Sequence, residues 1–371
     1  MTIVNKNTRR KFLQLLGVGA TGLGLTACGE DQTVAAPAVH TKQHAFNWKM
    51  VTTWPKNFPA LGTGAEFLAD TIQRMSDGRV NIKVYGAGEI VPAYEIFDAV
   101  RAGTAEMGHG SAYYWKGKNP AFQFFSTVPF GMNANEMNAW LHQGGGMALW
   151  QLAYQPFGLI PMAAGNSMVQ MGGWFNKEIN SLDDLNGLKM RIPGLGGEVL
   201  RMAGGTPVNV AGGDLFVALQ KGVIDATEWV GPYNDLAFGL HKAAKYYYSP
   251  GWHEPGTTME CFVSEAAYNS LPADLQSIVQ NAARVANQNM MQEFTTKNHD
   301  ALEILINQHQ VEMRQFPQQV LDKFRTLSQQ VVADVVGKDP FAREVYQSYQ
   351  QFLAKSKAWY DISERAYLNV R

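Results

Sequence analysis

Apolar and polar residues alternate through "FNWKMVTTWP" (46–55), a run rich in β-formers that predicts a strand ending at Pro55. The period then lengthens. "ALGTGAEFLADTIQRMSDGR" has the spacing of an amphipathic helix closed by Asp77-Gly78, and "VNIKVYGAGEIV" returns to strand before Gly86 and Gly88 turn the chain. "AYEIFDAVRAGTAEMGHGS" predicts a helix, a stop at Gly103 and a short strand. Strand and helix in succession indicate an α/β architecture.

The same unit returns later. "AVRAGTAEMGHG" (99–110) and "ALQKGVIDATEW" (218–229) align at a constant offset of 119 residues, matching Gly103 with Gly222, Glu106 with Asp225 and His109 with Glu228. Two lobes of similar build are expected, each ending a strand at a shared crevice, where the ligands of open α/β sheets collect. His109 and Glu228 are expected to face that crevice. Between the units, "LIPMAAGNSMVQMGGWFNKEINSLDDLNGLKMRIPG" predicts a strand, a second strand, a Ser181-capped helical turn and a strand carrying Arg191. Gln170 is expected to close the apolar run "SMVQ". From about residue 268 the pattern is helical, running some forty residues without a breaker and continuing through 317–337 and 339–370. Leu305, Tyr346, Phe352 and Trp359 read as packing residues. The aromatic last helix is too apolar to stand alone and is expected to pack on a lobe or on a second subunit.

Composition adds an address. "NTRRKFLQLLGVGATGLGLTACGE" has a basic start, an apolar stretch short for a membrane span, and small residues. Arg9-Arg10 before Phe12-Leu13 reads as a twin-arginine export signal. Leu25-Thr26-Ala27-Cys28 resembles a lipobox, in which Cys28 becomes the acylated first residue of the mature protein. Residues 29–43 then read as a flexible tether. Without residues 1–27 the chain keeps 27 basic against 32 acidic groups, which argues against nucleic acid as a partner. Cys261 is left as the single other cysteine, so no internal disulfide is expected, and it reads as a buried strand thiol.

The chain lacks HExxH, CxxC, a P-loop, GxSxG and a strand-to-helix GxGxxG; "GLGGEVL" (194–200) has glycines without the remaining framework. What stands out is polar residues at the ends of apolar segments: Gln170 before "MGGWF", Arg191 in "LKMRIPGL", Glu228-Trp229 after "VIDAT", and Glu254 in "GWHEPG". An unpaired buried guanidinium costs several kcal/mol, so Arg191 is at the surface, paired with an internal acid, or matched to an anionic guest.

From residue 46 onward the chain resembles the solute receptors of tripartite ATP-independent periplasmic (TRAP) transporters, the DctP family, and in particular a branch binding 2-oxo and 2-hydroxy monocarboxylates such as pyruvate or lactate. The likeness rests on "TTWPKNFPALG", "VYGAGEIVPAYEIFDAVRAGTAEMGHGSAYYWKGKNPA", "QMGGWFNKEI", "LNGLKMRIPGLGGEV", "DATEWVGPYND" and "YYYSPGWHEPGT". It implies a two-lobed α/β periplasmic binding protein with a long lobe-spanning helix and a helical C-terminal extension. It further implies that Arg191 grips the substrate carboxylate with both prongs, and that a cation beside it is held by Gln170, Glu228, the backbone oxygen of Trp229, and Glu254, with Glu260 as fallback. Asn166, Tyr113, Tyr114 and Trp54 would line the pocket. Arginine suits the role because its rigid fork matches both oxygens of a carboxylate. With Arg191, Glu228, Glu254 and an anionic substrate together, two negative charges stand in excess; sodium would cancel one and calcium both. The oxygen donors suit either ion and are poor for zinc.

The implied organisation is lobe I from 44–164 with about 255–285, lobe II from 165–254, and a helical C-terminal region, 286–371, with a dimerisation helix. Implied partners are the membrane permease subunits and a second copy of the chain in a homodimer. Met168 and Asn176 depart from the family pattern, and Met168 is expected to reshape the substrate end. The rival readings are an exported metal-dependent enzyme acting on small organic acids, for which twin-arginine export is a mild argument, and a sensory receptor of the same fold.

Overall fold

The computed structural model describes residues 45–371; the twin-arginine motif, the lipobox with Cys28 and the tether lie outside the described residues. Eleven strands are formed among the described residues: β1 Phe46–Thr52, β2 Val80–Tyr85, β3 Met107–Gly110, β4 Leu159–Asn166, β5 Gly173–Phe175, β6 Lys189–Arg191, β7 Thr206–Val208, β8 Ala226–Thr227, β9 Tyr246–Ser249, β10 Thr258–Ser264 and β11 Glu312–Gln315.

They build two sheets, in the orders β2-β1-β3-β10-β4 and β11-β9-β5-β8-β6-β7. In the first, β1 lies parallel between β2 and β3, and β10 runs antiparallel to β3 and β4. In the second, β6 lies parallel between β7 and β8, and β5 runs antiparallel to β8 and β9. The second sheet thus repeats the first, with β11 added beside β9. Each sheet takes one antiparallel strand from across the chain: β5 follows the first four strands, and β10 returns after the second sheet is nearly complete.

The repeated sequence unit has a physical basis. Helices Ile96–Arg101 and Leu215–Gln220 each run out to a glycine in the left-handed region, Gly103 at φ 77° and Gly222 at φ 70°. The aligned acids then do the same job. The Lys49 backbone N–H donates to Glu106 Oε2 at 2.7 Å, and that of Lys189 donates to Asp225 Oδ2 at 2.9 Å. Each acid fastens the backbone of the neighbouring parallel strand.

Helix Ala273–Asn307 packs against β4 and helix Gly62–Met75 at one end and helix Pro232–Phe238 at the other, so it ties the two sheets together. Its buried Leu275, Val279, Ala282, Ala286, Met290, Phe294, Ala301 and Leu305 follow the helical period. The expected forty-residue helix is shortened at its start, where Glu265–Asn269 is a separate turn and Pro272 stands at the N-cap. No helix among the described residues is long and apolar enough to cross a membrane.

Two expectations are corrected. "SMVQ" is not strand: β4 ends at Asn166, and residues 167–172 form a loop in which Met168 takes φ 61°. The region after 286 is not wholly helical, because the polar "EMRQ" pairs with β9 at the sheet edge. Cys261 is buried and free in β10, and burial pushes its thiol up.

Glu260, on the same strand, is fully buried and accepts from Trp115 Nε1 at 2.6 Å and Tyr154 Oη at 2.7 Å. Burial raises its carboxyl from 4.5 to about 7, although the two donors pull the other way. A raised acid binds its proton more tightly folded than unfolded, so its stabilising contribution is complete below about 4.5 and is lost as pH rises towards about 7. Glu260→Gln is expected to flatten the fall in stability across that window. Denaturant unfolding at stepped pH measures it, and an unaltered slope would contradict the assignment.

Candidate functional site

Strand β6 is flanked on both sides, so the side chain of Arg191 is held inside the protein, 2% exposed. The β6–β8 register sets Arg191 opposite Thr227, and the Glu228 N–H then donates to the Arg191 carbonyl at 3.2 Å. That bond brings the next acid alongside the guanidinium. Arg191 Nη1 donates to Glu228 Oε1 in a short charge-assisted bond and to the Glu228 carbonyl at 3.3 Å, while Nε donates to the Val210 carbonyl at 3.3 Å. Nη2 has no partner. The guanidinium also stands 5.1 Å from the ring centroid of Trp229. Arg191 is therefore both paired and unfinished: an internal acid balances its charge, and one edge of its fork is left for something else.

Two segments that cross between the sheets supply the neighbours. Residues 167–172 join β4 to β5, and 250–257 join β9 to β10. They run side by side, with Ser167 N–H donating to the Thr257 carbonyl at 2.9 Å and Gln170 N–H to the Glu254 carbonyl at 3.1 Å. A methyl placed on Gly251 would fall 2.1 Å from the Gln170 carbonyl oxygen, so this approach requires glycine. Gln170 Nε2 donates to Glu254 Oε2 at 2.7 Å and to Ser167 Oγ at 2.9 Å, and Thr257 Oγ1 donates to the same Glu254 oxygen at 2.6 Å. Gln170 Oε1 is buried without a donor among the described residues.

Glu228, His253 and Glu254 are all buried and offer donor atoms within 4.8 Å of one another. His253 Nε2 lies 3.5 Å from Glu228 Oε2. Burial, with the charge of Glu228 second, holds the Glu254 carboxyl above its ordinary range. With one cation and two acids, the cluster is electrically incomplete for an anionic guest. Its free oxygens are hard donors, Gln170 Oε1 and the uncommitted carboxylate oxygens, with a single imidazole beside them. They fit calcium or sodium.

The cavity against Arg191 is lined by Gln170 and Trp229 together with an aromatic and aliphatic wall of Trp54, Tyr113, Tyr114, Leu61, Val230 and Met259. Its free volume is about 10 Å³, close to the room of one water on the same measure. Trp54 is fixed by a 2.8 Å bond from Nε1 to His109 Nδ1 and meets Trp229 edge to face at 6.1 Å. Burial raises the phenols of Tyr113 and Tyr114 above their ordinary range.

The structure brings Arg191, Gln170, Glu228, Trp229, Glu254, Trp54, Tyr113 and Tyr114 together. Others stand elsewhere. Asn166 does not line the cavity, because its amide is engaged by the two crossing segments, donating to the Gly256 carbonyl at 3.1 Å and accepting from Met168 N–H at 2.8 Å. His109 does not face the crevice; it lies beneath Trp54, and burial lowers its imidazole to about 4. Glu260 is held by Trp115 and Tyr154, away from the cluster. Met168 lines a separate outer groove with Val169 and Pro255. Leu61, Val230, Met259 and His253 had no sequence signal of their own, although His253 adjoins Glu254 and Val230 adjoins Trp229.

Two repeated sheets joined by crossing segments, with a charged cluster at the crossing and an aromatic wall opposite, define an extracytoplasmic solute-receptor fold. Residues 50–339 match the model of the bacterial extracellular solute-binding protein family 7, DctP, and the chain belongs to that family. Its members are receptors, which answers the enzyme alternative. A monocarboxylate 2-oxoacid-binding periplasmic protein of Nostoc sp. is 40% identical over 363 residues, 97% of this chain and 98% of that one. A TRAP periplasmic solute-binding protein of Colwellia psychrerythraea, solved with calcium and pyruvate, is 43% identical with a TM-score of 0.85, covering 88% of this chain and 99% of that one. One of Pseudoalteromonas atlantica, solved with sodium and pyruvate, is 42% identical with a TM-score of 0.86 and the same coverage.

Gly251→Ala is expected to force the crossing segments apart and destabilise the protein by about 1–3 kcal/mol, the usual range for overpacking. Urea unfolding checks this; a midpoint equal to wild type would show that the segments need no such approach.

Proposed function

We propose that the chain is the periplasmic receptor of a TRAP transporter for a small 2-oxo or 2-hydroxy monocarboxylate, pyruvate- or lactate-like, bound between the sheets with a calcium or sodium ion and passed to the membrane permease subunits. The observation that carries this reading is the unpartnered Nη2 of Arg191, buried at the wall of a small aromatic cavity. A carboxylate there would complete the fork. The aromatic and aliphatic wall suits a short carbon tail. Gln170, Glu228, Glu254 and the Trp229 carbonyl would hold the cation, which offsets the negative charge that the substrate adds. Export by the twin-arginine route and acylation of Cys28 complete the proposed path to the periplasm.

Native mass spectrometry of the protein purified without refolding tests this. An acid the size of pyruvate and one metal ion are expected together, and the same spectrum reads the mature N-terminus and any acyl group. Arg191→Lys keeps the charge but loses the fork, and is expected to weaken pyruvate binding at least about thirty-fold by calorimetry. Chelation should weaken it as well. Undiminished binding by the lysine variant would refute the role given to Arg191.

A homodimer is part of the same reading. Helix Pro340–Ile362 docks on its own chain through Val345 and Tyr349, whose hydroxyl accepts from Met132 N–H at 2.7 Å. Its far end leaves Trp359 60% and Ile362 73% exposed, followed by exposed Tyr367 and Leu368. Sedimentation is expected to give a dimer that Trp359→Glu with Ile362→Glu converts to monomer; a monomeric wild type would refute pairing.

A further inference from the structure

The Val210 carbonyl, two residues beyond β7, accepts twice. One donor is Arg191 Nε at 3.3 Å, from the same sheet. The other is Tyr94 Oη at 3.1 Å, from the turn Ala93–Glu95 between β2 and β3, in the opposite sheet's layer. A carbonyl oxygen has two lone pairs and can hold both at once. The Tyr94 ring also packs at 5.0 Å from the ring of Tyr114, which forms the cavity wall. Tyr94 therefore touches both halves of the site without entering the cavity itself.

We propose that Tyr94 is a closure latch and positioning residue: its hydroxyl joins the two halves through Val210 and thereby holds the carbonyl that orients Arg191 towards the bound anion. The other polar links between the halves differ. Lys116 and Glu198 meet at 3.5 Å with both side chains about two-fifths exposed, and such pairs contribute little. Asn234 Nδ2 donates to the Pro59 carbonyl at 3.0 Å, away from the guanidinium. Among the described residues, the Tyr94 link alone shares its acceptor with Arg191.

The latch can be removed cleanly. Tyr94→Phe keeps the ring against Tyr114, and the Val210 carbonyl keeps Arg191 Nε, so no buried acceptor is orphaned. A bond that exists only when the halves are together acts on escape of the ligand and not on its arrival. This inference rests on the reading of the cavity as a carboxylate site, and the experiment separates the two. Stopped-flow tryptophan fluorescence, with pyruvate as probe and saturating calcium, is run on wild type, Tyr94→Phe, Lys116→Ala and Arg191→Lys. Tyr94→Phe is expected to speed dissociation about three- to ten-fold, the effect of one neutral hydrogen bond, with association unchanged. Its ligand-free unfolding midpoint should match wild type, and Lys116→Ala should match wild type in both rates. Unchanged dissociation in Tyr94→Phe, or a loss confined to association, overturns the latch alone. Wild-type rates in Arg191→Lys overturn the carboxylate reading, and a wild-type chain that does not bind the probe overturns both.

Discussion

A guanidinium almost wholly removed from water is the constraint around which this molecule is arranged. Isolated, it would cost several kcal/mol, and the attraction of a buried acid offsets that only when geometry and hydrogen bonding are good. The structure meets the condition with parallel pairing of β6 and β8, which fixes Glu228 beside Arg191 through backbone bonds and not through side-chain flexibility. The pair is deliberately incomplete in one respect. Nε and Nη1 are committed, yet Nη2 is buried and free. A protein that needed the pair for stability alone gains nothing from an unsatisfied donor, whose desolvation is a standing cost. A receptor gains a socket.

The second acid explains why the socket cannot work by arginine alone. Glu254 lies close enough to Glu228 that burial and mutual repulsion both push its carboxyl above the ordinary range. An arriving carboxylate would worsen that repulsion, so either Glu254 stays protonated or a cation enters. The donor set favours the cation. Gln170 Oε1 faces inward unpaired while its amide nitrogen is tied to Glu254 and Ser167, an orientation that presents oxygen and withholds N–H.

Much of this was legible in the sequence because it follows from local pattern. Helix Gly62–Met75, the long helix and the paired glycine stops are periodic or depend on a single residue type, and Arg191 announced itself by its apolar neighbours. The repeat at 99–110 and 218–229 was legible for a more specific reason: Glu106 and Asp225 each fasten the backbone of an adjacent strand, so the acid is required at the same place twice. What stayed hidden depends on contacts distant in the chain. His109 occupies the position matching Glu228, but an indole 55 residues away covers it, and nothing near it in sequence says so. Asn166 was expected at the pocket, yet two loops consume its amide. "EMRQ" does not look like a strand, because a half-buried edge strand carries polar residues.

The topology also orders the events of binding. Gln170 and Glu254 stand on two of the segments that carry the chain between sheets, and they are bonded to each other there. Arg191 and Glu228 belong to the adjoining second sheet. Trp54, Tyr113, Tyr114 and Leu61 come from the first. Separating the sheets would therefore leave the charged cluster whole, with Trp229 beside it, and strip away only the cover that the first sheet provides. With the cation in place, an anion would be captured by charge while the cavity is open, when any small carboxylate would do. Discrimination would come afterwards, as the first sheet lays its rings over the tail. Affinity and selectivity are thus assigned to different halves of the chain, and the segments between them, closely packed at Gly251, set how far apart those two steps can be.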